Sequence, residues 1–108
     1  MNTTLQMSEL LSKNYALTQE DALAMYSPAL PIIQNHEEIT ISFKGMETCS
    51  TMFFRYFLGR LFSEFGNQVS ELIHFEGIEN DSIRNQLDLY LERVLGDETY
   101  KAIYLNHI

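Results

Sequence analysis

The stretch Ile39-Thr40-Ile41-Ser42-Phe43-Lys44-Gly45-Met46-Glu47-Thr48-Cys49-Ser50-Thr51-Met52-Phe53-Phe54-Arg55-Tyr56-Phe57-Leu58-Gly59-Arg60-Leu61-Phe62-Ser63-Glu64-Phe65 decides the fold. It opens with alternation: Ile39, Ile41 and Phe43 fall on one side, Thr40 and Ser42 on the other, which is the period of a strand. Buried parallel strands read instead as continuous apolar runs. The alternation from Glu38 to Phe43 therefore predicts a sheet with helices packed mainly on one face and a more solvated opposite face. Lys44 to Ser50 reads as a loop, and Ser50 or Thr51 is a suitable N-cap for a helix. At 100° per residue, Phe54, Phe57, Leu58, Leu61, Phe62 and Phe65 share one broad arc. Burying each such side chain contributes roughly 1.5–3 kcal/mol, so this is the expected core helix. The opposite arc holds Met52, Arg55, Tyr56, Gly59, Arg60 and Ser63.

Working outward, Gly66-Asn67 stops that helix, and Val69 to Phe75 predicts a second strand. A strand, a helix and a strand in this order form a parallel pair joined by a right-handed crossover. Asn80-Asp81-Ser82 caps a further helix with Ile83, Leu87, Tyr90, Leu91, Val94 and Leu95 at helical spacing, ended by Gly96. Residues 97–108 read either as a last helical turn carrying Tyr100, Ile103 and Tyr104 or as a short edge strand over Ile103 to Leu105. Toward the N-terminus, Asn35-His36-Glu37 is a turn. Thr18-Gln19-Glu20-Asp21 resembles a capping box, followed by a helix with Ala22, Leu23, Met25 and Tyr26 available for packing. Pro28 lacks an N–H and disfavours helical angles at Ser27, so the helix is expected to end or kink there, with Pro31 making the run to Gln34 irregular. Thr4 to Met7 predicts an N-terminal edge strand, and Ser8 to Tyr15 a connection.

The whole of 1–108 is expected to be one α/β domain with a mixed or parallel sheet. Seven basic against fifteen acidic residues give a net charge of −8, which disfavours nucleic acid as a partner. It suits a basic surface on another protein. The single cysteine, Cys49, cannot form an internal disulfide, so a reducing, cytoplasmic setting is expected. Met1-Asn2-Thr3-Thr4 carries no basic region followed by an apolar run, and no signal peptide is expected. No stretch approaches the ~20 apolar residues of a membrane span.

The chemistry on offer is sparse. His36, His74 and His107 lie far apart without a second ligand at helical or turn spacing, so no metal and no cofactor is expected. Cys49 stands before a helix N-terminus, where a thiol can be activated, but no base can be named for it, and small-residue packing is the plainer reading. Glu37-Glu38 and Glu79 to Asp81 read as surface charge and capping. Lys44-Gly45 and Glu76-Gly77 are isolated and form no phosphate-cradling loop. The outer arc of the core helix stands out. Arg55 and Arg60, two of only seven basic residues, sit beside Met52 and Tyr56. Arg, Tyr and Met are enriched at protein interfaces. Gly59 either allows close approach of another backbone or packs internally.

Three short runs, Ile41 to Met46, Cys49 to Phe54 and Leu58-Gly59-Arg60-Leu61, resemble the STAS-like domain family of bacteria, and the order of elements from about Thr18 to Gly96 is similar too. That family is related in fold to the STAS domains of anti-sigma-factor antagonists. The resemblance implies a non-enzymatic switch module that binds a serine-kinase anti-sigma factor with a histidine-kinase-type ATPase fold. It implies contact through the region matching Cys49 to Arg60. In the switch proteins a serine at the helix start is phosphorylated, adding charge and bulk that block the partner. Here the Asp-Ser-Ser-Gly-Leu-type signature is replaced by Ser50-Thr51-Met52-Phe53-Phe54. Met52 falls at the phosphoserine position, and Ser42 replaces the strand aspartate. Ser50 and Thr51 remain the candidate phosphorylation positions.

The sequence thus points to a regulatory protein-interaction module of signalling or transcription control. Its partner site is expected at Ser50, Thr51, Met52, Arg55, Tyr56, Gly59 and Arg60. Two alternatives stand beside it: a small enzyme or ligand-binding domain using Cys49, Ser50 or Thr51, and a homodimer formed through the same face.

Overall fold

The computed structural model describes residues 2–95, the side chains of Asn2, Asn67, Val94 and Leu95 excepted. The expected end of the last helix at Gly96 and both readings of residues 97–108 lie outside the described residues. The elements run β1 (Asn2–Gln6), α1 (Met7–Leu11), β2 (Tyr15–Ala16), α2 (Gln19–Gln34), β3 (Glu38–Ser42), β4 (Thr48–Cys49), α3 (Thr51–Phe65), a 3-10 turn (Gly66–Gln68), α4 (Val69–Leu72), β5 (Ile73–Glu76) and α5 (Asp81–Leu95).

Strand β3 is central in a parallel sheet of order β1-β3-β5, and β2 pairs with β4 in a second, two-residue parallel ladder. The chain is an α/β fold of parallel strands, as the strand-helix-strand order implies, with β1 on the sheet edge. The alternation on β3 is real. Ile39 and Ile41 lie in register with Ile73 and Phe75 and join the core. The other face is polar throughout: Thr4 and His74 flank Thr40, and Gln6 and Glu76 flank Ser42. Thr40 and Ser42 are nevertheless buried, against the expectation of solvated side chains. A central strand has neighbours on both sides, and cross-strand partners cover short side chains.

Helix α3 is the core helix. Phe53, Phe54, Phe57, Leu58 and Leu61 are buried, Phe62 and Phe65 partly so. Phe53 was not in the expected arc; it stacks near Phe54 and Phe57, with centroids 5.4 and 5.6 Å away. Gly66 caps the helix at φ 73°, where a glycine is favoured. Asn80 caps α5 as expected, its Oδ1 accepting from Ser82 N–H at 2.8 Å. Ile83, Leu87, Tyr90 and Leu91 then face inward.

Four expectations are corrected. Helix α2 does not stop at Ser27 but runs through Pro28 and Pro31 to Gln34. The prolines withdraw the N–H groups that would bond the carbonyls of Ala24 and Ser27. Both residues are exposed, so water can take those carbonyls, while Ala29 and Ile33 carry the buried stripe onward. The segment Ser8 to Tyr15 is not mere connection: it holds most of α1, with Met7 fully buried, and the start of β2. The loop Lys44 to Ser50 contains β4, too short for periodicity to reveal. Finally, Val69 to Leu72 is a helical turn, and the strand begins only at Ile73. A short apolar run does not discriminate helix from strand by its spacing alone.

Candidate functional site

The start of α3 is held by its hydroxyls. Ser50 Oγ accepts from Phe53 N–H at 3.0 Å and donates to the Leu17 carbonyl at 3.0 Å, so it caps α3 and ties it to the residue before α2's own cap. Thr51 Oγ1 donates to Gln86 Oε1 on α5. Both candidate phosphorylation positions therefore carry structural hydrogen bonds. Cys49 is buried beside them, and burial pushes its thiol up to about 12. Burial thus favours the thiol over the thiolate and suits the small-residue packing reading of Cys49.

Thr18 opens α2 with a full capping box. Its Oγ1 accepts from Asp21 N–H at 3.1 Å, and Asp21 Oδ2 accepts from Thr18 N–H at 3.3 Å. Burial alone would raise Asp21. The Lys13 ammonium at 2.7 Å and the N–H groups of Leu17 and Thr18 outweigh it and hold the carboxyl below its usual range.

Helices α2 and α3 run side by side in the same direction. Leu17 meets Ser50 at one end, and Tyr26 meets Glu64 toward the other, its hydroxyl donating to Glu64 Oε2 at 2.7 Å. Arg60 Nε donates to Glu64 Oε1 at 3.2 Å, and its guanidinium lies 4.3 Å over the Tyr26 ring. The Tyr26 hydroxyl and then Arg60 hold the Glu64 carboxyl below its ordinary value. Between the helices lies a half-open groove of about 490 Å³, lined by Gln19, Glu20, Leu23, Tyr26, Arg55, Tyr56 and Arg60. Leu23 is 53% exposed, Met52 44% and Tyr56 41%.

Of the residues singled out in the sequence, Arg55, Tyr56 and Arg60 come together in this groove, with Met52 exposed one turn before Tyr56. Ser50 and Thr51 are engaged elsewhere. Gly59 lies beside the Arg55 stem under α5: a Cβ there would meet Tyr90 Oη at 2.9 Å and Arg55 Cγ at 3.9 Å, so the glycine makes room for the Tyr90 side chain, the internal-packing reading. The α2 wall was missed. Leu23 was assigned to packing, yet it stands open. Gln19 and Leu23 fall at the edge of the arc formed by Ala22, Met25, Tyr26, Ala29 and Ile33, a signal that helical projection of α2 could have given. Among the described residues no group of three or more His, Cys, Asp or Glu side chains could hold a metal. Nor is any helix there long and apolar enough to cross a membrane.

The parallel sheet and the helix following its central strand define a small α/β domain, consistent with a STAS-like fold. The chain belongs to the STAS-like domain family of unknown function (DUF4325), whose model matches residues 29–82. That segment reaches from the second half of α2 through β3, α3 and β5 to the start of α5, so it includes Arg55, Tyr56 and Arg60 but not Gln19, Glu20, Leu23 or Tyr26. No curated protein and no solved structure gives a significant match to the chain.

Proposed function

We propose that this protein is a non-enzymatic regulatory module that binds another protein through the exposed side of α3, from Met52 to Arg60, in the manner of the anti-sigma-factor antagonists that its family resembles. One observation carries the reading. On the core helix, two large apolar side chains, Met52 and Tyr56, are left to solvent beside two arginines, at the edge of an open groove. Exposed aromatic and arginine side chains around a concave surface are the usual anchors of a protein interface. On the family resemblance, the partner is a regulatory protein of the anti-sigma kind, a serine kinase with a histidine-kinase-type ATPase fold. The hydrogen bonds of Ser50 and Thr51 support a reading in which they hold the helix start behind the contact, and the groove lining supports one in which α2 contributes to it.

The test is a pull-down with the tagged full chain, followed by mass spectrometry of the bound proteins. Tyr56→Ala combined with Arg60→Ala is expected to lower recovery of the specific partner at least tenfold while the thermal midpoint stays nearly unchanged. Recovery equal to wild type overturns the site. Light scattering on the same two proteins reads the homodimer alternative: a dimer that the double substitution splits would assign this face to self-association.

A further inference from the structure

Resting on the reading above, we infer that the groove between α2 and α3 receives about two turns of an amphipathic helix from the partner. That helix carries two large apolar residues three or four positions apart, a carboxylate on the flank against Arg55 and a basic residue on the flank against Glu20. Length is the first support. The lined part of α2 runs from Gln19 to Tyr26, about 11 Å at 1.5 Å per residue, which is two helical turns. Its floor is Tyr26 with Arg60 over its ring, flanked by the exposed apolar side chains of Leu23 and Tyr56. Such a floor between two parallel helices accepts one face of a third, read through anchors spaced at i and i+3 or i+4.

Charge is the second support, and it gives the occupant a direction. The α3 rim carries Arg55, whose guanidinium lies 5.7 Å over the Tyr56 ring. Among the described residues, no carboxylate lies within ion-pair distance of it, whereas Arg60 is already committed to Glu64. The α2 rim carries the exposed Glu20. A helix lying between these rims is therefore fixed in orientation by opposite charges on its two flanks. The chain's net charge of −8 disfavours a second copy as the occupant and favours a partner with a neutral or basic surface. A small molecule fits less well, because six of the seven lining residues are exposed or half open, and a small-ligand site encloses roughly 70–90% of its ligand.

The experiment is selection from a phage library displaying a helical peptide scaffold with one randomised face, against the immobilised full chain. Enriched sequences are expected to share two large apolar residues three or four apart, an acid on one flank and a Lys or Arg on the other. The winning peptide, synthesised with a fluorophore, is expected to bind Tyr56→Ala at least tenfold more weakly than wild type. Arg55→Glu, with Arg55→Gln as a milder second variant, is expected to weaken binding by a similar factor. A peptide with its acid changed to Lys should recover affinity for Arg55→Glu to within about threefold of the original pair. Circular dichroism on each variant confirms the fold. No enrichment, enrichment without the acid, or absence of charge-swap recovery overturns the inference. If that happens while Tyr56→Ala with Arg60→Ala still abolishes partner capture, the proposed function stands and only the helical occupant falls. If capture survives that double substitution, the function falls first.

Discussion

On one flank of α3 a single side chain of α5 reaches in, so that a Cβ on Gly59 would meet Tyr90 Oη at 2.9 Å; on the other, α2 packs closely along α3 and leaves a groove of about 490 Å³ beside the contact. The two flanks belong to the same fifteen-residue helix and contact helices of similar length. What differs is the side chain at each contact. A glycine and a threonine hydroxyl on the α5 flank admit Tyr90 and Gln86 directly. On the α2 flank, Tyr26, Arg60 and Glu64 form a polar bridge, and the large Tyr56 and Leu23 stand outward on either side of it. On the α5 flank small residues admit side-chain tips, whereas on the α2 flank long amphipathic side chains bridge two closely packed helices and leave exposed apolar surface beside the contact.

That contrast can be broken by stability measurements. The largest effect is expected at Leu87, fully buried on α5, where Leu87→Ala should lose about 2–5 kcal/mol in urea denaturation, whereas Leu23→Ala on the groove side should stay within about 0.5 kcal/mol of wild type. Equal losses would show that Leu23 is packed like a core residue and is not left open on the groove. A smaller effect should appear at the shared cap. Ser50→Ala removes the acceptor for Phe53 N–H and the donor to the Leu17 carbonyl and should lose about 1 kcal/mol, while Ser50→Thr, which keeps both, should lose less. Full stability in Ser50→Ala would mean that the cap does not fix the start of α3. The smallest effect is a pH dependence at Asp21. Its carboxyl is depressed in the folded chain, so its contribution is present above the ordinary carboxylate pKa of about 3.9 and is lost as pH falls through the lower folded value. The difference in thermal midpoint between wild type and Asp21→Asn should accordingly be constant from pH 7 to about 5 and close below about 4. A difference that widened on acidification would contradict the Lys13 and N–H interactions assigned to this carboxylate.

Much of the α5 flank and little of the α2 flank could be read in the chain. Residues Ile83, Leu87, Tyr90 and Leu91 repeat at helical spacing behind an asparagine cap, and local spacing is enough to place them inside. The outward position of Met52, Arg55, Tyr56 and Arg60 was legible for the same reason. The groove itself was not, because it arises from the approach of two helices whose facing residues lie about thirty positions apart. The prolines at 28 and 31 also suggested that α2 would break; their effect depends on which carbonyls they strand, and Ala24 and Ser27 happen to face water. The second parallel ladder, Tyr15 with Thr48 and Ala16 with Cys49, is a contact of two residue pairs whose partners are distant in sequence. No local pattern of apolar residues encodes such a pairing.

The bonds from Ser50 to Leu17 and from Tyr26 to Glu64 bracket the groove lengthwise, one beside each end of its lined walls. These two bonds oppose the separation of α2 and α3 along the length of the groove. A surface held in place by its own side chains has less conformational freedom to lose when it is covered.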